Sequence, residues 1–320
     1  MVHALSRPRP LKTTPNSILA AALAGLLLAL PALAAGLDFT GPVVAGQAAE
    51  PANRESSGLA TSIRTPGLLW THNDSGGEPV LFAFNADGGA ARGRVRLAGV
   101  KNYDWEDLAS FERDGRAWLL VADTGDNFAR RKSAVLYVLE EPDSVQLKPG
   151  TDLVLPPAYS ISYVYEDGAR DCEAVAVDPR EGMIYLLTKR DVPARLYRLP
   201  LQPATADQPA VARKVGEVPH LPQPDAGQRL VQMPRYALLG MPTAMDFSPD
   251  GTFAAVVLYS NVFIFPRGSA EFWPAALAKT PIALADHQLP QAEAVSVSRD
   301  GRHLFVTSEK TGQVLRYDRR

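Results

Sequence analysis

The sequence predicts an all-β fold, a β-propeller whose four-stranded blades surround a central channel. Three observations predict it. A short strand motif recurs five times, a second apolar strand follows each copy at nearly constant spacing, and a third strand follows each second one.

The motif reads YDWEDLASF at 103–111, DCEAVAV at 171–177 and QAEAVSV at 291–297, with weaker copies SGLATS at 57–62 and TAMDFS at 243–248. Each opens on a polar anchor and continues with small and apolar residues of strand type. A glycine-bearing turn comes next, at Gly67, Gly115, Gly182, Gly251 and Gly301. The second strands are LLWTHND, WLLVADTGD, MIYLLTKRD, FAAVVLYSN and HLFVTSEK. Counted from the anchors Ser57, Glu106, Glu173, Thr243 and Glu293, position +16 is Asn73, Ala122, Lys189, Tyr259 and Glu309, and a one-residue slip in the second copy brings Asp123 into line. The third strands are VLFAF, AVLYVL, RLYRL, VFIF and VLRY, and the fourth are GRVRLAG, YSISYVYE, ARKVGEV and TPIALA.

Anchors separated by 49, 67, 70 and 50 residues have the spacing of propeller blades. The constant anchor-to-strand register argues against an open sandwich. Five four-stranded blades are expected, and a sixth would have to lie in the Pro- and Gln-rich stretch 200–242. The last blade ends with VLRYDRR at 314–320, so LDFTGPVV at 37–44 is expected to supply its outer strand, closing the ring and removing an exposed edge.

Residues 1–34 read as a signal peptide and 35–320 as one propeller domain. Arg7, Arg9 and Lys12 precede a 13-residue apolar run, Ile18 to Leu30, and Ala32-Leu33-Ala34 supplies a small-x-small cleavage pattern. That run is shorter than the roughly 20 residues a bilayer span requires. The expected location is secreted or periplasmic, with no membrane insertion after cleavage. Without its three leader cations the chain carries 30 basic and 35 acidic residues, and no clustered basic face marks a nucleic-acid binder. Cys172 is the only cysteine, so no disulfide can form within the chain, and it reads as a small buried side chain.

First strands line a propeller's channel, so the five anchors are expected to face one another as a ring. Glu106, Glu173 and Glu293 would repel there, and a hard divalent cation with oxygen ligands relieves that repulsion. Few histidines and no usable thiol favour Ca²⁺ or Mg²⁺ over Zn²⁺. These three glutamates are the expected metal ligands. Second-strand ends add Asn73, Asp74, Asp123, Asp126, Asn127 and Asn261 near the same mouth, although Asn, Asp and Gly there are equally ordinary turn residues. Asn73, Asp123, Asn127, Arg131, Arg170 and Lys189 are the candidate ligand-binding set, suited to a small anionic molecule. Candidate catalytic groups are Asp74, Asp107, Asp126 and His72. NDSGG at 73–77 is similar to the nucleophile segment of trypsin-like proteases, but the partner histidine segment and paired cysteines are absent.

The WEDLA and CEAVA segments at 105–109 and 172–176 resemble the glutamate-bearing first strands of calcium-dependent propeller lactonases of the paraoxonase and gluconolactonase type. The layout SGLA, HNDSGG, DWEDLA and DTGDN is also similar to exported bacterial propellers related to the phytase-like esterase group. The resemblance implies calcium in or near the channel, with Glu106 the best match, and hydrolysis of esters, lactones or phosphoesters. No histidine pair occupies an equivalent place, and five blades stand where the lactonases have six. The residues themselves lead to a cation-bearing channel that binds a small ligand or a cell-envelope partner, with the Ca²⁺-dependent hydrolase as the alternative.

Overall fold

The computed structural model describes Met1 and residues 37–48, 50–202, 208–223 and 240–320. The chain divides into two compact units, 1–32 and 33–320. The expected leader lies, Met1 apart, outside the described residues, as does 224–239 of the Pro- and Gln-rich stretch. Among the described residues no helix is long and apolar enough to cross a membrane.

After β1 (Phe39–Gln47), the described strands of the larger unit fall into five antiparallel groups of four. The first group is β2 (Ser56–Thr61), β3 (Leu68–Asn73), β4 (Val80–Asn85) and β5 (Ala91–Leu97). The second is β6 (Trp105–Arg113), β7 (Arg116–Asp123), β8 (Ala134–Glu140) and β10 (Tyr159–Tyr165), with the short β9 (Asp152–Leu155) crossing back to pair in parallel with β5. The third is β11 (Cys172–Asp178), β12 (Met183–Thr188), β13 (Ala194–Pro200) and β14 (Ala210–Val218), and parallel pairing of β14 with β10 joins the outer edges of the second and third groups. The fourth is β15 (Pro242–Phe247), β16 (Phe253–Leu258), β17 (Val262–Pro266) and β18 (Ile282–Ala283), with the short helix α1 (Trp273–Leu277) between β17 and β18 in the chain. The fifth is β19 (Ala292–Val297), β20 (His303–Ser308) and β21 (Gln313–Arg319), completed by β1 on its outer edge, as the expected ring closure requires.

Inner strands touch in the cyclic order β2, β6, β11, β15, β19 and back to β2, which is the channel arrangement of a propeller. Buried on both faces, β2, β11 and β19 carry small and apolar residues rather than a polar–apolar alternation. Outer strands alternate instead: in β5, Val95 and Leu97 are buried while Arg94 and Arg96 reach outward to Asp152. Apolar wedges between neighbouring groups form the core, exemplified by the fully buried Trp70, Tyr185, Phe265 and Tyr317. Cys172 lies inside one wedge, where burial pushes its thiol up to about 12, so it packs as a small apolar group.

Neighbouring inner strands form no ladder with each other, so polar side chains bridge them. Ser57 Oγ donates to the Glu106 carbonyl at 3.0 Å, Ser110 Oγ to that of Thr61 at 2.7 Å, and Thr243 Oγ to that of Ala292 at 2.9 Å. The Thr61 amide donates to Ser296 Oγ at 2.8 Å. Asp107 does most: it accepts from the amides of Leu108 (2.8 Å), Val175 (2.7 Å) and Met245 (3.3 Å), linking three groups while wholly buried. Burial pushes its carboxyl well above the ordinary range, and the three amides oppose that rise.

Replacing Asp107 by Ala strands amides of three inner strands, so Asp107→Ala is expected to cost about 3 kcal/mol. A urea-unfolding midpoint equal to wild type would refute this role.

Candidate cation site at the channel mouth

Every first-to-second strand pairing carries a register irregularity at its anchor. The shifts fall between Ser56 and Gly58, Trp105 and Asp107, Cys172 and Ala174, Pro242 and Ala244, and Ala292 and Ala294. Ser57, Glu106, Glu173, Thr243 and Glu293 are therefore the residues left out of the ladder, all at the mouth where the inner strands begin. Such bulges re-aim a side chain.

Strand pairing at the anchors also corrects the register of the second ring. Asn73 pairs with Ser56, Asp123 with Trp105 and Thr188 with Cys172. The residue after each then bonds back to the segment before the inner strand: the amides of Asp74, Thr124, Lys189 and Glu309 donate to the carbonyls of Glu55, Asp104, Asp171 and Gln291. The position matching Lys189 and Glu309 is thus held by Asp74 and Thr124, one residue beyond Asn73 and Asp123.

Carboxylates crowd one side of this mouth. Single oxygens of Asp74, Asp104 and Glu106 lie within 4.8 Å of one another, as do those of Glu106, Asp171 and Glu173, so Glu106 belongs to both groups. Among the described residues no donor hydrogen-bonds the carboxylates of Glu106 or Asp104. Desolvation raises Glu106 well above the ordinary range, reinforced by Glu173, Asp74 and Asp104. Desolvation and Asp74 bring Asp104 to about 6. The two acids close against the backbone of Gly125, where a Cβ would stand 2.1 Å from a Glu106 oxygen and 2.5 Å from the Asp104 carboxyl.

The other side is compensated. Lys189, 7% exposed, pairs with Glu173 and donates to Tyr259 Oη at 3.2 Å; Tyr259 in turn donates to Glu293 at 2.9 Å. Burial opposes the charge on Lys189, but Glu173, Tyr259 and Glu293 outweigh it and hold the ammonium protonated. Burial and Glu309 raise Glu293 to about 7. Glu293 is not among the carboxylates converging on Glu106, so two of the three expected metal glutamates meet and the third belongs to the lysine side. Asp171 accepts from the Asp126 amide at 2.9 Å and pairs with Arg190 at 2.5 Å.

The remaining sequence candidates hold the frame around this cluster. Asn73 accepts from the amides of Arg54 (2.8 Å) and Glu55 (3.1 Å) and donates to the Ala52 carbonyl. Asp126 accepts from the amides of Arg130 and Arg131, ordinary turn chemistry. Asp123 pairs with Arg131 at 2.8 Å, and that guanidinium lies 4.8 Å over the Tyr103 ring. The exposed Asn127 accepts from Arg190, and Arg170 is shared among Asp167, Asp191 and the Tyr197 hydroxyl. His72 is wholly buried, with Nδ1 at 3.0 Å from the Asn73 carbonyl and Nε2 without a partner, and burial lowers it to about 4. It does not bond Ser75, which is exposed in the turn.

Sequence reasoning passed over Asp104 and treated Asp171 only as a flank. Both stand two residues before an anchor glutamate, in Asp104-Trp105-Glu106 and Asp171-Cys172-Glu173. That repeated D-x-E, with Gln291-Ala292-Glu293 as its amide variant, was the available signal.

No family model and no curated protein matches the chain. Among solved structures it is similar to the PQQ-bound aldose sugar dehydrogenase of Streptomyces coelicolor, at 11% identity and TM-score 0.44 over 89% of this chain and 99% of that one. It is also similar to a chain of a nidogen/laminin complex, at 14% identity and TM-score 0.45 over 83% of this chain and 76% of the other. A chain of the mitotic checkpoint complex aligns at 14% identity and TM-score 0.37, covering 82% of this chain and 63% of that one.

Proposed function

We propose that this propeller binds a hard divalent cation, Ca²⁺ by its donor set, at the channel mouth, and presents it there to a small anionic ligand. The observation that carries this reading is the pair of three-carboxylate groups sharing Glu106, whose carboxylate no donor among the described residues hydrogen-bonds. Like charges so close and so buried need a counter-charge. Lys189 and Arg190 provide one for Glu173 and Asp171, while among the described residues Asp74, Asp104 and Glu106 have none of comparable closeness. The oxygen-only donors suit Ca²⁺, whose weaker extracellular sites bind at roughly 10⁻⁴–10⁻³ M, in keeping with an exported location. The likeness of WEDLA and CEAVA to calcium-dependent propeller lactonases points the same way.

Binding is preferred to hydrolysis of esters, lactones or phosphoesters on specific grounds. Asp107 and Asp126 accept from backbone amides, and His72 is neutral and sealed from the mouth. Asp74, raised chiefly by burial, is the one proposed catalytic acid that stands among the clustered carboxylates.

Calorimetric titration of the chelator-treated chain with Ca²⁺ is expected to give one site that Glu106→Gln weakens by at least about tenfold. Glu293→Gln, on the lysine side, should weaken it far less. Equal losses from both substitutions, or no heat in the wild type, would sink the assignment.

The same cluster makes stability depend on pH. Asp104 at about 6, Glu293 at about 7 and Glu106, raised well above the ordinary range by burial, all lie above unfolded carboxyls near 4. Between about pH 4 and 7 the folded chain therefore holds protons that the unfolded chain has lost, so this cluster's contribution to stability falls as pH rises. Chelated protein should melt lower at pH 7.5 than at pH 5, and the difference should shrink in Glu106→Gln. Ca²⁺ should raise the melting temperature more at pH 7.5 than at pH 5. A Ca²⁺ effect that is equal at both pH values would contradict the linkage.

A further inference from the structure

On the face where the inner strands end, the seam between the fifth and first groups contains a cavity of 620 Å³. Thr61, Leu69, Ala86, Arg299, His303 and Phe305 are among its lining residues. The molecule supplies its own comparison, because the seam between the third and fourth groups has the same geometry and is filled. There Trp273 of α1 is fully buried, stacks on Phe247 at 3.7 Å with rings 6° from parallel, and donates through Nε1 to Asp178 at 2.8 Å. Arg267 lies 4.4 Å over the indole, and Tyr185 meets Phe247 edge-on at 5.5 Å.

Strand register identifies the counterparts. Phe247 pairs with Ala254 as Thr61 pairs with Leu69, so Thr61 stands where Phe247 does. Phe253 pairs with Pro266 as Leu68 pairs with Asn85, which puts Ala86 in the place of Arg267. Val177 pairs with Ile184 as Val297 pairs with Leu304, so Ser298 replaces Asp178 and Phe305 replaces Tyr185. The open seam thus keeps the edge-on aromatic and loses the stacked one, the covering guanidinium and the inserted indole. No helix corresponding to α1 follows β4; the chain turns through Gly88 and Gly89 into β5.

We infer that this seam is a binding site for a small planar aromatic molecule, one or two fused rings bearing a ring N–H or hydroxyl. Its volume lies in the range of small-molecule pockets, which are mostly apolar with a few polar groups for orientation. Phe305 and Leu69, both nearly fully buried, offer the apolar walls. Asp300, held by Ser298 Oγ at 2.6 Å, and His303, whose Nδ1 lies 2.6 Å from Asp318, stand at the polar end. A planar ring gains stacking and edge contacts that a saturated ring of equal size cannot. None of these groups belongs to the acidic mouth, so binding here does not depend on the cation.

Indole is the probe, since the filled seam holds that ring. Full-length chain titrated with indole in the presence of chelator is expected to bind one equivalent, and cyclohexanol is expected to bind at least about tenfold more weakly. Thr61→Phe restores the missing stacked ring, and Ala86→Phe fills the slot from the other wall. Each should weaken indole by at least about tenfold in a chain that still unfolds cooperatively. Because Thr61 also bonds the Val297 carbonyl at 2.7 Å, Ala86→Phe serves as the independent variant should Thr61→Phe lose stability. No indole binding to wild type, equal binding of cyclohexanol, or unchanged indole affinity in folded Ala86→Phe would each overturn the proposal.

Discussion

The inward edges of the five inner strands govern the rest of this molecule. Each inner strand pairs on one side only, with the second strand of its own group, and its other edge faces the next group across the channel. Backbone amides and carbonyls buried there must find partners, because leaving one bare costs as much as a lost hydrogen bond. The sequence answers with short polar side chains at the inner strands: Ser57, Thr61, Ser110, Asp107, Thr243, Asp246 and Ser296 all bond a neighbouring strand. A polar channel is therefore a requirement of the architecture before it is a sign of function. Asp246 illustrates this: burial raises it to about 7, yet it is accounted for by the amides of Val297 and Phe247.

Subtracting those architectural acids is what isolates the mouth. Asp107 resembled a channel acid in the sequence, and its three amide partners explain it fully. Glu106, one residue earlier, shares its neighbourhood and has no such partner. The difference comes from the irregularity at position 106, which removes that residue from the ladder while Asp107 remains in register with Ala122. Two adjacent acids thus take opposite roles because one sits in a bulge.

Most of the fold was legible because periodicity and repetition are local properties of a chain. All four expected fourth strands form, at β5, β10, β14 and β18, and the segment at 37–44 completes the last group through β1. The short β9, pairing in parallel with β5, carried no such signal, since its partner is more than 50 residues away in sequence. The site was legible only in part. Counting from the anchors selected Asn73 and Asp123, but the first two hairpins are longer than the third and fifth, so Asp74 and Thr124 hold the equivalent ring positions. Arg131 and Arg170 looked available to a ligand, whereas nearby acids, Asp123 for the first and Asp167 and Asp191 for the second, engage them in the folded chain.

Departures from fivefold repetition give the channel mouth its direction. Perfect repetition would place five equal anchors around the axis and leave a cation no preferred side. Here Ser57 and Thr243 interrupt the glutamates, and the second ring reads Asp74, Thr124, Lys189, Tyr259 and Glu309. Lys189, Tyr259 and Glu293 form a chain of contacts that neutralises one side internally. Asp74, Asp104 and Glu106 concentrate negative charge on the opposite side, against the bare backbone of Gly125. A cation bound as proposed would meet attraction from that side and Lys189 from the other, an arrangement that favours a position off the axis. The same breaking of repetition acts at the other face, where one seam carries Trp273 and its counterpart does not. In both places the repeat builds the frame, and the residue that departs from it creates the feature with chemical character.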